Sequence, residues 1–160
     1  MNRVVVTGMG AVTPIGNDVE SFWQGLVSGK CGIGPVTKFD TAEFKVKVAA
    51  EVKDFDPSRY MEKAELRKYD VFCQYALAAA AQAVETSRIQ GSLPSEEIGV
   101  YFGSGIGGIG TFEEQQKLML EKGPRRVSPF FIPALIINMA GGLIAIKYDF
   151  QGAAVSSVTA

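Results

Sequence analysis

The clearest motif in this chain is a run of closely spaced glycines. The segment from Gly103 to Gly108 has the Gly-x-Gly-x-x-Gly spacing of a dinucleotide-binding turn, with a strand pattern before it and a helix pattern after it. That turn also needs an acidic residue about 20 positions further on, and no Asp or Glu lies between Glu121 and Asp149. Five glycines fall within residues 103–110, more than a pyrophosphate turn requires. The pattern favours a flexible or close-packed loop over a nucleotide site.

Nucleophilic catalysis is restricted by what the chain lacks. It contains no histidine and two cysteines, Cys31 and Cys73, and a serine or cysteine nucleophile commonly uses an imidazole as its base. Cys73, close to Phe72 and Tyr75 in an Ala-rich segment, is predicted to be a small buried side chain, whereas Cys31 is predicted to lie in a loop. The cysteines have neither disulfide nor metal-ligand spacing. We therefore assign no catalytic residue and no metal site to the chain.

Composition points to one soluble, cytoplasmic domain. The 160 residues are 47% hydrophobic, which is enough for a core of ordinary single-domain size. Charged or Gln residues interrupt every apolar segment, so no membrane span is expected. A net charge of −1 argues against nucleic-acid binding, which usually needs a basic excess.

Apolar periodicity predicts alternating strands and helices, and hence an α/β layered fold. Buried strands are expected at Val4–Thr7 and Ile98–Phe102, with an edge hairpin or exposed strand at Phe44–Val52. Helices are expected at 19–27, capped by Asn17 or Asp18, at 70–86, around 112–120 and at 134–148, with irregular chain at 124–133. Gly141 and Gly142 would each cost the last helix about 1 kcal/mol, so we expect another backbone to approach there.

Three segments carry a resemblance to a known family. They are the opening Met9–Asn17, the loop Gly103–Gly108 and above all the string Gly-Pro-Arg-Arg-Val-Ser-Pro-Phe-Phe-Ile-Pro at 123–133. Together they resemble the β-ketoacyl synthases, or condensing enzymes, and most of all the 3-oxoacyl-[acyl-carrier-protein] synthase II group. The resemblance runs from Arg3 to Ala160. It implies the five-layered αβαβα thiolase fold, with residues 1–160 as an N-terminal half-domain that is incomplete without the C-terminal half.

The resemblance also implies a reaction. Members of the elongating group of type II fatty-acid biosynthesis take an acyl chain from acyl carrier protein onto a cysteine. They then join it to malonyl-carrier protein with loss of CO2. The segment Gly152–Ala160 is similar to the buried strand that leads to this cysteine, which is expected at position 161, outside the sequence. The family's two histidines and its lysine lie in the second half, so the 160-residue chain alone is expected to be inactive.

Two groups of residues in the chain receive roles from the resemblance. The acyl pocket would be formed by Ile106, Gly105, Gly107, Gly108 and Phe131, the last beside the pocket of a dimer partner. Docking of the acidic carrier protein would use Arg67, Lys68, Arg125 and Arg126. The resemblance implies a homodimer and no cofactor of its own, since phosphopantetheine on the carrier holds the substrates. The alternatives are that Ile106 and Phe131 are core residues and that the basic residues are only solvated surface.

Two other functions remain open. The chain resembles polyketide ketosynthases in its opening strand and turn, and a thiolase-fold partner that lacks the nucleophile would share the same features. A carrier-protein-binding module is the third possibility. The residue at position 161 separates them, because a cysteine there supports an enzyme, another residue supports a non-catalytic partner, and a true stop supports the module.

Overall fold

The computed structural model describes residues 3–158 of the chain. Its α-helices are α1 (Val19–Val27), α2 (Lys63–Leu66), α3 (Val71–Ser87), α4 (Ile109–Lys122), α5 (Phe131–Leu135) and α6 (Asn138–Tyr148). Its strands are β1 (Gly34–Pro35), β2 (Val48–Ala49), β3 (Val100–Gly103) and β4 (Ala154–Ser157). Short 3-10 turns lie at Pro57–Arg59, Ser95–Glu97 and Pro124–Arg126. This mixture confirms the predicted α/β class.

The strand pair β3 and β4 positions the glycine-rich loop. The two strands are parallel, with Val100 opposite Ala154 and Gly103 opposite Ser157, and α4, α5 and α6 form the crossover between them. The strand expected at Ile98–Phe102 is present but begins at Val100. Because parallel strands end at the same edge, the loop after β3 and the chain after β4 leave the sheet side by side.

The core lies between this sheet and the central helix. α6 packs on β3 and β4 with one side and on α3 with the other. The buried side chains of the core cluster are Met61, Cys73, Leu77, Ala140, Leu143 and Ile144. The predicted central helix is confirmed as α3, and Asp70 caps it by accepting a hydrogen bond from the Phe72 N–H at 3.2 Å. The helix predicted at 19–27 is confirmed as α1, with Asp18 as its N-cap.

The strand predicted at Val4–Thr7 is wrong. The structure pairs this segment with no strand within residues 3–158, and Val4 is 92% exposed. A β-branched run becomes a strand only where a neighbour accepts its backbone hydrogen bonds. The chain that follows is held by α3 instead, because Gly8 and Gly10 lie so close to the carbonyls of Ala83 and Ala79 that a Cβ at either glycine would overlap them.

The single helix predicted at 134–148 is also wrong, since the chain breaks between α5 and α6. Ile136 has an extended backbone with ψ 141°. The Leu135 carbonyl accepts a hydrogen bond from the Gly108 N–H at 2.9 Å, so it leaves the helical ladder. At Gly141 a Cβ would lie 3.4 Å from Phe102 Cβ, whereas nothing lies within 4 Å at Gly142. The close approach thus involves side chains of β3 and β4 instead of a backbone, and only one of the two glycines.

Three weaker predictions are corrected in part. Of the edge hairpin or exposed strand expected at 44–52, the structure has the strand, but only as the two residues of β2, with Val48 exposed and Ala49 half-buried, paired antiparallel with β1. The expected irregular chain at 124–133 contains a 3-10 turn and the start of α5. The terminal strand is present as β4, but Ala154 and Val155 are exposed because no further strand covers them among the described residues. Thr159 and Ala160, predicted to continue that strand, lie outside the described residues.

Candidate functional site

The glycine-rich loop between β3 and α4 is closed by its own hydrogen bonds. The Gly107 N–H donates to Ser104 Oγ at 3.1 Å, and the Gly108 N–H donates to the Leu135 carbonyl at 2.9 Å. Gly107 has a φ of +75°, in the left-handed region that glycine adopts without steric cost. These two amides are already paired, so they are not available to a pyrophosphate, and the structure supports the close-packed alternative.

The packing differs from one end of the loop to the other. A Cβ at Gly107 would lie 2.6 Å from the Leu135 carbonyl oxygen. A Cβ at Gly108 would overlap the Ala134 carbonyl and lie 3.0 Å from Leu135 Cα. At Gly105 nothing lies within 4 Å. The second half of the loop is therefore tightly held against α5, whereas the space beside Gly105 is open, and Ile106 lies between Gly105 and the packed Gly107.

Ile106 faces an apolar groove at the carboxyl edge of the sheet. Its side chain is 62% exposed. The groove has a volume of about 390 Å³ and is lined by Ile106, Leu135, Ile136, Ile137, Asn138, Ser156 and Val158. It therefore lies where the chain leaves β4. Its lining is mostly aliphatic, which suits an alkyl chain better than a polar ligand.

Phe131 occupies a different hollow. It is half-buried and packs against Phe112 with ring centroids 6.2 Å apart. This second hollow, of about 700 Å³, lies between the starts of α3 and α4 and the beginning of α5. Within this chain the structure does not bring Phe131 and Ile106 into one groove.

One of the two predicted basic groups lines that second hollow, and the other precedes its Phe130 in the chain. Arg67 and Lys68 line it, and the Lys68 ammonium lies 5.4 Å from the ring centroid of Phe130. Arg125 and Arg126 are exposed in the 3-10 turn a few residues before this ring. The contact between Lys68 and Phe130 is a cation–π pair, and it joins the two segments that carry the cations.

Sequence patterns missed the glutamines that hold these segments. Gln74 donates to the carbonyls of Leu66 at 3.3 Å and Tyr69 at 3.1 Å, so it holds the turn that bears Arg67 and Lys68. Gln115 accepts from the Ser128 N–H at 2.8 Å and holds the segment after Arg126. For Gln74 the available signal is its setting, since a lone amide in an apolar helix usually has a hydrogen-bonding reason to be there. Gln115 lies in the polar run Glu-Glu-Gln-Gln at 113–116, which gives no such signal.

A third glutamine anchors the N-terminal loop. Gln82 Oε1 accepts from the Ala11 N–H at 3.0 Å, and Gln82 Nε2 donates to the Asn17 carbonyl at 2.8 Å. The amide lies in the Ala-rich part of α3, where small side chains leave room for the loop. The segment Met9–Asn17, one of the three that carried the resemblance, is therefore attached to the same helix as the basic turn.

The cysteines have the predicted settings. Cys73 is fully buried, and burial, followed by the nearby charge of Asp70, raises the pKa of its thiol to about 12. It is therefore a packing residue and a poor nucleophile. Cys31 is exposed, with its Sγ 3.9 Å from the Ile33 carbonyl. Across residues 3–158, no three His, Cys, Asp or Glu side chains are grouped to bind a metal, and no helix is both long and apolar enough to cross a membrane.

A family model and two sequence relatives indicate the same family for this chain. The family model for the β-ketoacyl synthase N-terminal domain matches residues 1–160. The chain is 48% identical to 3-oxoacyl-[acyl-carrier-protein] synthase 2 of Coxiella burnetii, over 99% of this chain and 38% of the relative. It is 46% identical to the enzyme of the same name from Synechocystis sp., with the same two coverages. The chain thus spans 38% of the length of these curated relatives.

Solved structures of ketosynthases are similar to the chain in fold. The ishigamide ketosynthase/chain length factor superposes with a TM-score of 0.86 at 29% identity, covering 97% of this chain and 39% of that chain. A type II polyketide acyl-carrier protein in complex with its ketosynthase gives a TM-score of 0.76 at 26% identity, covering 96% of this chain and 40% of that one. The predicted thiolase-type α/β fold is confirmed by these neighbours. With a family model matched along residues 1–160, the chain belongs to the β-ketoacyl synthase family.

Proposed function

We propose that the chain forms the acyl-pocket and carrier-docking part of an elongating 3-oxoacyl-[acyl-carrier-protein] synthase of type II fatty-acid biosynthesis. The observation that carries the proposal is identity of 45–48% over 99% of the chain to relatives that bear this name. The type II polyketide ketosynthase complex among the solved structures is 26% identical, which favours the fatty-acid pathway over the polyketide alternative.

The condensation step of the proposed reaction forms one carbon–carbon bond and breaks two bonds, the carbon–carbon bond to the malonyl carboxylate and the carbon–sulfur bond to the enzyme. An acyl group passes from the carrier thiol to the cysteine expected at position 161. Malonyl-carrier protein then loses its carboxylate as CO2, and the carbanion attacks the acyl-enzyme carbonyl. The carbon–sulfur bond to the enzyme breaks, the thiolate takes up a proton, and a 3-oxoacyl-carrier protein two carbons longer is released. Proton transfer would belong to residues of the second half, since this chain has no histidine.

The position of the apolar groove supports a pocket role for Ile106. Val158 lines the groove with Ile106, and Val158 precedes position 161 by three residues. An acyl group attached just beyond β4 would therefore start at the mouth of this groove. Because Gly105 is open and Gly107 and Gly108 are packed, Ile106 would move on the Gly105 side, to an extent that the held second half of the loop limits.

Exposed cations support a docking role for the second hollow. Exposed Arg67 and half-buried Lys68 line it, and Arg125 and Arg126 are exposed in the 3-10 turn before Phe130. An acidic carrier protein would be steered towards such a surface, chiefly through a faster association rate. We further propose a homodimer in which Phe131 lies beside the partner's acyl pocket, with no bound cofactor other than the phosphopantetheine of the carrier. Two unpaired cysteines fit a cytoplasmic location.

We propose that residues 1–160 are an incomplete half-domain. Tyr101 is 75% exposed and Ile146 is 78% exposed, although both belong to the elements around the core. Large apolar side chains that are exposed on core elements usually mark a surface that another part of a protein covers. The 160-residue chain should then have no condensing activity by itself.

The test uses the full-length protein with a series of acyl-carrier substrates and malonyl-carrier protein. Release of CO2 together with a 3-oxo product two carbons longer supports the proposal. Carrier binding without CO2 release would identify a non-catalytic partner or a binding module instead. Repeated extension of an unreduced product would identify a polyketide enzyme. The 160-residue chain, assayed in parallel, should give no product.

A further inference from the structure

One carboxylate joins the starts of the two helices that flank the candidate site. Asp70 Oδ1 accepts from the Phe72 N–H at 3.2 Å in α3. Asp70 Oδ2 accepts from both the Thr111 N–H at 3.0 Å and the Thr111 hydroxyl at 2.7 Å in α4. Asp70 and Thr111 are half-buried and 41 residues apart in the chain. Because helix N-termini carry partial positive charge, a carboxylate shared by two of them is favourable for both.

The Asp70 carboxylate supplies the side-chain acceptor that α4 lacks at its N-cap. The N-cap of α4 is Gly108, which has no side chain to accept a hydrogen bond from the first turn. Thr111 lies in that first turn, and the next residue, Phe112, donates its N–H to the Gly108 carbonyl at 3.0 Å. Asp70 therefore acts as the cap of α4 from another helix, and it holds the turn to which Gly108 belongs.

Asp70 also follows directly on the basic turn. Gln74 ties the carbonyls of Leu66 and Tyr69 to the first turn of α3, so the turn and Asp70 form one fixed unit. On the other side, the glycine-rich loop is free at Gly105 and packed from Gly107 onwards. How readily Ile106 moves then depends on how firmly the second half of the loop and the start of α4 are held.

We propose that Asp70 and Thr111 are positioning residues for the glycine-rich loop, and that their hydrogen bond limits how readily Ile106 moves aside for a long acyl chain. The inference rests on the proposed function for its substrate. It concerns chain-length preference and assigns neither residue to the chemical step. Holding the loop favours short chains, for which Ile106 need not move.

The experiment uses full-length protein and acyl transfer from carrier-bound chains of increasing length. Thr111→Val removes the hydroxyl and keeps the shape and the backbone N–H, whereas Thr111→Ser keeps the hydroxyl and is the rescue variant. Asp18→Ala is the matched control, because it removes an N-cap with the same chemistry from α1, where Asp18 accepts from the Ser21 N–H at 2.7 Å. The measured quantity is the ratio of kcat/KM for the longest chain to kcat/KM for the shortest.

We expect Thr111→Val to raise this ratio about tenfold, at the lower end of what a hydrogen bond to a charged group contributes. Thr111→Ser and Asp18→Ala should leave the ratio within about twofold of wild type, which is the precision of mutational comparisons of this kind. An unchanged or lowered ratio for Thr111→Val overturns the proposal, and so does an equal rise in Asp18→Ala.

Hydrogen exchange separates this inference from the proposed function. The Gly107 and Gly108 amides, which are bonded within the loop and to α5, should exchange about tenfold faster in Thr111→Val than in wild type. If wild-type protein transfers no acyl group, the proposed function fails, and the exchange rates still decide whether Thr111 holds the loop. Unchanged exchange at these amides overturns the positioning role regardless of activity.

Discussion

Replacing Gly108 by alanine tests the tight contact between the glycine-rich loop and α5. Gly108 is buried, and a Cβ there would overlap the Ala134 carbonyl and lie 3.0 Å from Leu135 Cα. Both obstacles are backbone atoms of a helix, which cannot rotate away as a side chain can. The added methyl group therefore has to push α5 and the loop apart.

The expected loss follows from two contributions. Overpacking of a closed contact costs about 1–3 kcal/mol. Separation of the loop from α5 also stretches the hydrogen bond from the Gly108 N–H to the Leu135 carbonyl, now 2.9 Å long. Such a bond contributes about 1 kcal/mol. We expect Gly108→Ala to lower the free energy of unfolding by about 2–4 kcal/mol.

Gly105→Ala is the matched control in the same loop. Nothing lies within 4 Å of a Cβ at Gly105, so alanine should change the stability by less than about 1 kcal/mol and can stabilise through the unfolded chain. Both variants are compared with wild type by urea unfolding of the full-length protein at constant m-value. Equal stability of the two variants would refute the argument that the loop is packed at Gly108 and open at Gly105.

Three further predictions concern the proposed function and the cysteines. Arg67→Glu should slow association with acyl carrier protein, measured by stopped-flow fluorescence, and the loss should shrink as salt rises. Arg88→Glu, after the far end of the 17-residue α3, is the charge-matched control, and equal effects of the two would mean that Arg67 is only solvated surface. Ile106→Phe should reduce acyl transfer from long chains roughly 5- to 150-fold and leave short chains nearly unchanged; a loss at every length would point to misfolding. At pH 8, where the raised pKa of about 12 keeps the Cys73 thiol protonated, iodoacetamide should label Cys31 and leave Cys73 intact by peptide mass spectrometry, and equal labelling would contradict its burial.

Elements that carry their own local signal could be predicted from the sequence. The helix α3 combines strong helix formers with an Asp cap, and α1 has Asp18 and Ser21 at its start. The predicted ends are correct for α1 and lie within one residue of the observed ends for α3. The strand β3 was found from its apolar residues between turn signals. These decisions depend on residues close together in the chain.

The predictions are wrong where a residue far away in the chain determines the local structure. The run Val4–Thr7 has the composition of a buried strand, yet it has no paired neighbour among residues 3–158 and is exposed. The break at Ile136 arises because the Leu135 carbonyl bonds to Gly108, 27 positions earlier. The link between Asp70 and Thr111 likewise spans 41 positions. Periodicity over 10–20 residues contains none of this information.

The two glycine-rich segments show what their spacing does encode. Gly8 and Gly10 lie against carbonyls of α3, and Gly107 and Gly108 lie against carbonyls of α5. In each case a helix backbone occupies the space that a side chain would need, so the spacing marks a close backbone contact. A phosphate site would need the loop amides free to donate, and at Gly107 and Gly108 they already donate to Ser104 and Leu135. The acceptors of these amides, and not the glycine spacing, therefore decide between a nucleotide turn and the packed loop that leaves Ile106 beside the groove.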